Sequence, residues 1–320
     1  MISKLISVIV FATISLSAIS AMACAQKDEY KWELVTAAAE FPTGYNYPVF
    51  VRGRKMFAVR DTSWFSPDGK NWRKGELPFS GLSSALQKYV QFNDAVYALG
   101  TQTGTIKRMK LSSRIARTVN GRTWEVLAEE SNLPKRVFYG ATVFKGKIWI
   151  FGGTYESTDF DDVWSSSNGV NWQQAAEKMP WGKRSGLHAV VLNGRIFLIG
   201  ESDVWSSDNG VDWRIETRRM AEQRVFVGAY SVAVFDGKIW LVGINRNNTF
   251  GSGVLCSADG KTWREMQAPW SPRGAVAVWV ADGKLFMTGG KYSYVDGRGE
   301  TKFVYSNDVW VMSKQPDREM

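Results

Sequence analysis

Three arginines stand at one fixed distance from a turn glycine. Arg136, Arg184 and Arg273 each lie ten residues before Gly146, Gly194 and Gly283, and Arg224 precedes the corresponding segment of the intervening repeat. Guanidiniums set around one axis suit bidentate capture of a carboxylate or sulfate. Aromatic rings accompany them. Tyr139 and Tyr230 lie seven residues before their turn glycines, and Tyr47 and His188 lie six before theirs. Flat rings beside cations suit stacking on a sugar. Glu201 and Asp159, with His188, are the candidate acids and bases for chemistry on such a ligand. Each of these residues also has a structural reading: an arginine consumed by hydrogen bonds, and a lone histidine satisfied by the backbone. The sequence contains no His/Cys/Asp cluster with metal spacing, no Gly-x-Ser-x-Gly elbow and no phosphate loop, so the expected site uses neither metal nor cofactor.

The elements that would position these residues repeat along the chain. Asp68-Gly69, Asn120-Gly121, Asn168-Gly169, Asn209-Gly210 and Asp259-Gly260 each precede a tryptophan, at 72, 124, 172, 213 and 263. A Ser or Thr stands three residues before each glycine: Ser66, Thr118, Ser166, Ser207 and Ser257. Asn-Gly and Asp-Gly predict two-residue type I′ hairpins, in which both central residues take positive φ. Trp64, Trp164 and Trp205 add an aromatic strand eight residues before the closing tryptophan. A second series of turns (Arg52-Gly53, Asn93-Asp94, Lys145-Gly146, Asn193-Gly194, Asp236-Gly237 and Asp282-Gly283) precedes apolar runs such as Ile148–Phe151 and Ile239–Val242. Near-continuous apolar runs are strands covered on both faces. With Trp32 included, the closing tryptophans recur every 40 to 52 residues. That period, with four strand-like segments in each unit, predicts a β-propeller with one four-stranded blade per repeat.

Lys147-Ile148-Trp149-Ile150-Phe151-Gly152-Gly153 through Asp162-Val163-Trp164, and Arg184-Ser185-Gly186-Leu187-His188, resemble the kelch repeat. The resemblance covers residues 30–312. It implies an all-β, six-bladed kelch-type propeller whose ligands sit around the axial channel. It also implies that an arginine can be spent on hydrogen bonds between blades. Blade 2 departs most, lacking the double glycine and the aromatic strand, and its hairpin near 101–117 looks remodelled. Ser206, Asp208, Gly210 and Trp213 are spaced as in the Asp-box of sialidases, a structural hairpin that implies no hydrolase activity. Among similar enzymes, the exported sialic-acid mutarotases need only an acid or base beside an anion site. A copper centre like that of the galactose oxidases needs two histidines, and this chain has one.

The blade count also predicts how the ring closes. Asn307-Asp308-Val309-Trp310 lacks a partner tryptophan eight residues on, where Arg318 stands. Tyr30–Leu34 is expected to supply the missing strand by pairing within 303–312, which would remove an open edge. The propeller is expected over 30–313, with a polar tail at 314–320. Residues 1–23 read as a secretory signal: Lys4, an apolar stretch and Ala21-Met22-Ala23. Residues 24–29 form a short linker, and Cys24 fits lipidation of an outer-membrane lipoprotein. A soluble periplasmic protein, or a Cys24–Cys256 bridge, is the alternative, and Cys256 otherwise reads as a small buried apolar residue.

The formal net charge is +9 with the signs interspersed. For an exported protein that favours anionic glycans or headgroups over nucleic acid. The expected protein is a monomeric envelope module that holds a glycan, an acidic sugar or a protein partner, and touches membrane only through a lipid anchor. The alternative is a sugar mutarotase.

Overall fold

A computed structural model describes residues 29–60, 62–76, 87–103, 110–221, 230–246 and 249–316. Residues 1–23, expected to be a secretory signal, Cys24, Arg224 and residues 317–320 lie outside them. The described chain forms six four-stranded antiparallel sheets. Blade 4 shows the plan: His188–Leu192 innermost, then Arg195–Ile199, Val204–Ser207 and Arg214–Thr217 outermost. Six hydrophobic clusters fill the ring, one between each pair of neighbouring blades. Six interfaces for six blades make a closed circle, and a closed circle leaves no sheet face bare. Second strands such as Ile196–Ile199 are apolar at every position for that reason, being covered on both sides.

The sixth blade is completed by the N-terminal strand. Tyr30–Thr36 pairs antiparallel with Val309–Lys314, with Trp32 opposite Met312. The pairing falls within the expected 303–312 over Val309–Met312 and runs on to Lys314. Residues Thr301–Tyr305 instead pair with Lys291–Val295 in a separate two-stranded hairpin.

The Asn-Gly and Asp-Gly loops are not type I′ turns. Ser206 pairs with Arg214 across the hairpin, so the connection is long, and only the glycine takes positive φ. The polar side chains build the loop instead. Ser207 Oγ accepts from Gly210 N at 2.7 Å, and Asn209 Oδ1 accepts from the amides of Val211 and Asp212 at 3.0 and 2.8 Å. The other four loops repeat these bonds. An Asn or Asp that caps the backbone with its side chain has no need of a left-handed conformation. In the Asp68 loop burial opposes ionisation, yet the bonds from Asn71, Lys70 and Ser66 hold the carboxyl well below its usual range. True I′ geometry belongs to the second series: Asn93-Asp94, Lys145-Gly146, Asn193-Gly194, Asp236-Gly237 and Asp282-Gly283 all have positive φ at both residues.

Each loop glycine lies against the second-strand aromatic of the preceding blade. A Cβ on Gly121, Gly169, Gly210 or Gly260 would come within 2.3 to 2.6 Å of Phe57, Tyr97, Trp149 or Phe197. Blade 6 has no such loop, and Tyr30 takes its place. The ring of Tyr30 meets Trp240 edge-on at 4.9 Å, and its hydroxyl donates to Asp236 and accepts from Lys238 at 2.6 Å. In blade 2 the strands Ala95–Thr103 and Lys110–Thr118 run nine residues each, a hairpin longer than those of the other blades.

Candidate functional site

The three described arginines occupy equivalent positions, as their spacing predicts, and each is held by its own blade. Arg136 Nη1 donates to Asp162 Oδ1 at 2.6 Å and to the Gly152 carbonyl at 3.0 Å. Arg184 donates to Asp203 at 2.7 Å, and Arg273 to Asp308 at 2.5 Å. The same aspartates accept from the indoles of Trp164, Trp205 and Trp310 at 2.7 to 2.9 Å. This accounts for the Asp-Val-Trp motif: the aspartate joins a loop arginine to a strand tryptophan inside one blade, and no bond between blades is involved. The side chains of Arg136 and Arg273 are 1 % and 4 % exposed, and that of Arg184 is 28 % exposed. None of the three lines the axial cavity.

That cavity, of about 480 Å³, opens where the loops entering the inner strands converge. Its size falls within the range of about 300–1,000 Å³ usual for small-molecule sites. Strand pairing aligns its walls in layers. Pro48, Lys88, Gly140, His188, Ser231 and Ala277 are equivalent residues at the head of the six inner strands, and all but Gly140 line it. The layer before them is Tyr47, Gln87, Tyr139, Leu187, Tyr230 and Val276. Tyr47 therefore belongs with Tyr139 and Tyr230, one position away from His188. The spacing misplaces it because the blade 1 turn is Gly53-Arg54, with glycine first, where the other blades place the glycine second.

The tyrosine hydroxyls are tied between blades. Tyr139 donates to Leu99 O at 2.8 Å, and Tyr230 to Gly200 O at 2.5 Å. The ring of Tyr230 still lines the cavity and lies 4.7 Å from His188. Tyr139 does not line it, nor does Asp159, which sits on the small hairpin Thr154–Tyr155/Thr158–Asp159. Glu201 is on the cavity wall and exposed. Burial, reinforced by the charge on Lys88, pushes His188 well below its usual range, so the imidazole is neutral at physiological pH. Burial also brings Lys88 down to about 8. Among the described residues no carboxylate pairs with it. Tyr89, pushed well up by burial, completes the wall next to Lys88.

The rim is strained. Asn46, Phe138 and Ala275 adopt φ of 51°, 56° and 56° at one equivalent position, where blade 4 has Gly186. A non-glycine residue in that conformation costs roughly 1–2 kcal/mol, and such strain gathers at functional sites. All four line the cavity, and they bind in pairs across blade interfaces: Asn46 N to Ala275 O at 2.7 Å, and Gly186 N to Phe138 O at 2.8 Å.

The sequence reading passes over Lys88, Tyr89, Tyr45 and Lys291, which also line the site. Lys88 was within reach of it. Lys88 precedes Asp94 by the same six residues that separate His188 from Gly194, but the blade 2 turn has no glycine to anchor the count. The class that fold and site define is a six-bladed β-propeller with a ligand-sized cavity at one end of its axis. The chain matches no protein-family model, and no curated protein is significantly similar to it.

Cys256 is fully buried between blades 5 and 6 in a cluster with Tyr30 and Trp32, and it is disulfide-bonded, which an inert packing residue would not be. Cys24 is the only other cysteine in the chain.

Proposed function

We propose that this chain is an exported, kelch-type binding module of the bacterial cell envelope, with an acidic sugar as the ligand of its channel mouth. The observation that carries this reading is a cation among rings, with no counter-ion among the described residues. Lys88 stands in the cavity with Tyr47, Tyr89, Tyr230 and His188, and its burial lowers its affinity for a proton. A ligand carboxylate supplies the missing charge, while the rings accept the apolar face of a pyranose. The predicted arginine ring contributes indirectly: Arg136, Arg184 and Arg273 fix the loops from which the cavity is built. The Asp-Val-Trp bridges and the positive-φ double glycine Gly152-Gly153 support the kelch assignment.

A disulfide suits an oxidising compartment, which agrees with export behind the Ala21-Met22-Ala23 site. It also favours a Cys24–Cys256 bridge over a lipid on Cys24. Peptide mapping without reductant is expected to find the two linked, and a lipid-modified Cys24 would contradict that.

Titration calorimetry of the mature protein with sialic, glucuronic and galacturonic acids, against glucose and galactose, tests the ligand class. Acidic sugars that bind no better than neutral ones would remove it. One observation favours an enzymatic second reading: Glu201 and the neutral His188 border the same cavity and can exchange a proton with a bound hydroxyl. NMR anomerisation rates unchanged by the protein would dispose of the mutarotase.

A further inference from the structure

The hairpin Lys291–Val295/Thr301–Tyr305 stands beside the cavity and exposes large side chains along its length. Its register sets Lys291 opposite Tyr305, Ser293 opposite Phe303 and Val295 opposite Thr301. These six side chains share one face. Along it Tyr305, Phe303 and Val295 are 40 %, 50 % and 67 % exposed. A row of large exposed apolar side chains marks a contact surface. Its inner end joins the cavity wall: Tyr305 stacks on Tyr45 with centroids 5.7 Å apart and planes 20° apart, and Tyr45 lines the cavity. Lys291 lines it too, with Nζ 4.6 Å from the Tyr45 centroid and 5.5 Å from that of Phe303. Among the described residues no carboxylate pairs with Lys291. Lys302, on the opposite face, is held by Glu300 and Asp296.

We propose that this face of the hairpin is a second subsite continuous with the channel mouth, and that its occupant is an acidic oligosaccharide whose terminal unit enters the cavity. The proposal rests on the acidic-sugar reading above. Lys291, at the junction, meets the carboxylate of the second unit, and Tyr305 and Phe303 carry the rings that follow. Two residues apart on one strand, those rings are spaced by roughly 6.8 Å, within reach of adjacent sugar units. The face alternates rings with Ser293, Thr301 and Lys291, which can bond to hydroxyls and carboxylates. It is also one narrow ladder, far short of the roughly 20–30 residues a stable protein partner would cover.

Calorimetry of the full mature protein with galacturonate oligomers from monomer to hexamer, and with the neutral cellohexaose, tests it. The expected result is affinity rising with chain length. Phe303→Ala should lower oligomer affinity roughly three- to tenfold, with monomer affinity and Tm unchanged, and Tyr305→Ala should lower oligomer affinity by a similar factor. Equal affinity for monomer and hexamer would overturn the subsite and leave the channel-mouth reading standing. So would unchanged hexamer binding in the Phe303→Ala/Tyr305→Ala double variant. Cellohexaose binding as tightly as the acidic hexamer would overturn the acidic occupant. Binding of no galacturonate at any length would overturn the subsite, and the channel-mouth reading would fall with it only if sialic and glucuronic acids also failed to bind.

Discussion

The two faces of the ring obey opposite rules. On one, five blades carry the same loop, atom for atom: a hydroxyl capping a glycine amide, a side-chain oxygen capping the next amides, and a glycine pressed on the neighbouring blade's aromatic. On the other, the six equivalent inner-strand heads are Pro48, Lys88, Gly140, His188, Ser231 and Ala277, with no residue repeated. The first face carries the same load six times, since each blade must lock to its neighbour, and the sixth solves the problem differently, with Tyr30 on Trp240. The strand heads of the second face meet no such demand, since the layer before them ties the blades through Tyr139 and Tyr230, and an axial cavity needs no symmetry to hold an asymmetric ligand. Between these loops and these strand heads, repetition marks the residues that hold the ring, and its absence marks those free to bind.

This contrast can be broken experimentally. The largest effect is expected where a repeated charge pair is cut. Asp162→Ala leaves the Arg136 guanidinium buried and unpaired, and should cost about 3–5 kcal/mol in denaturant unfolding. Asp203→Ala should cost less, since the Arg184 side chain is 28 % exposed. Next comes Gly121→Ala, which combines a left-handed φ of 77° with a Cβ only 2.3 Å from Phe57. A loss of about 2–5 kcal/mol is expected. Gly146→Ala, left-handed with nothing within 4 Å of its Cβ, is the control and should lose about 1–2 kcal/mol. Comparable losses at Gly121 and Gly146 would show that packing under the aromatic adds nothing.

The cavity variants should spare stability and change binding. Lys88→Met is expected to lower acidic-sugar affinity about ten- to a hundredfold. In the wild type, affinity should hold below pH 7 and fall as pH rises through about 8, because the protonated amine binds the carboxylate. Tyr89 and Tyr230, pushed up by burial, do not titrate in that window, and His188 is already neutral. Affinity flat from pH 7 to 9 would remove Lys88 from the anion site. The smallest effect is on stability in acid. His188 is depressed in the folded state, so the unfolded chain takes up the proton first as pH falls. Stability should be full above about 6.5 and decline below it, by at most about 1.4 kcal/mol per pH unit. His188→Gln should flatten that slope in urea titrations.

Much of this architecture is legible in the chain. The tryptophan period fixes blades of four strands, and the orphaned Trp310 strand asks for Tyr30–Leu34. Local chemistry was harder to read. Asn-Gly suggests a I′ turn until the serine three residues earlier is given its bond to the glycine amide. The arginine spacing fixes equivalent places around the axis, but it does not say whether an aspartate 19 to 35 residues later reaches them first.

The sequence by itself determined the repeat, the number of blades and the strand that completes the last one, because strand period and turn chemistry are properties of short segments. Only the tertiary structure decided which charges are spent and which are left over. Arg136 and Lys88 differ little as entries in a sequence. What separates them is whether folding brings a carboxylate within about 3 Å, and that depends on how segments far apart in the chain come to share one blade.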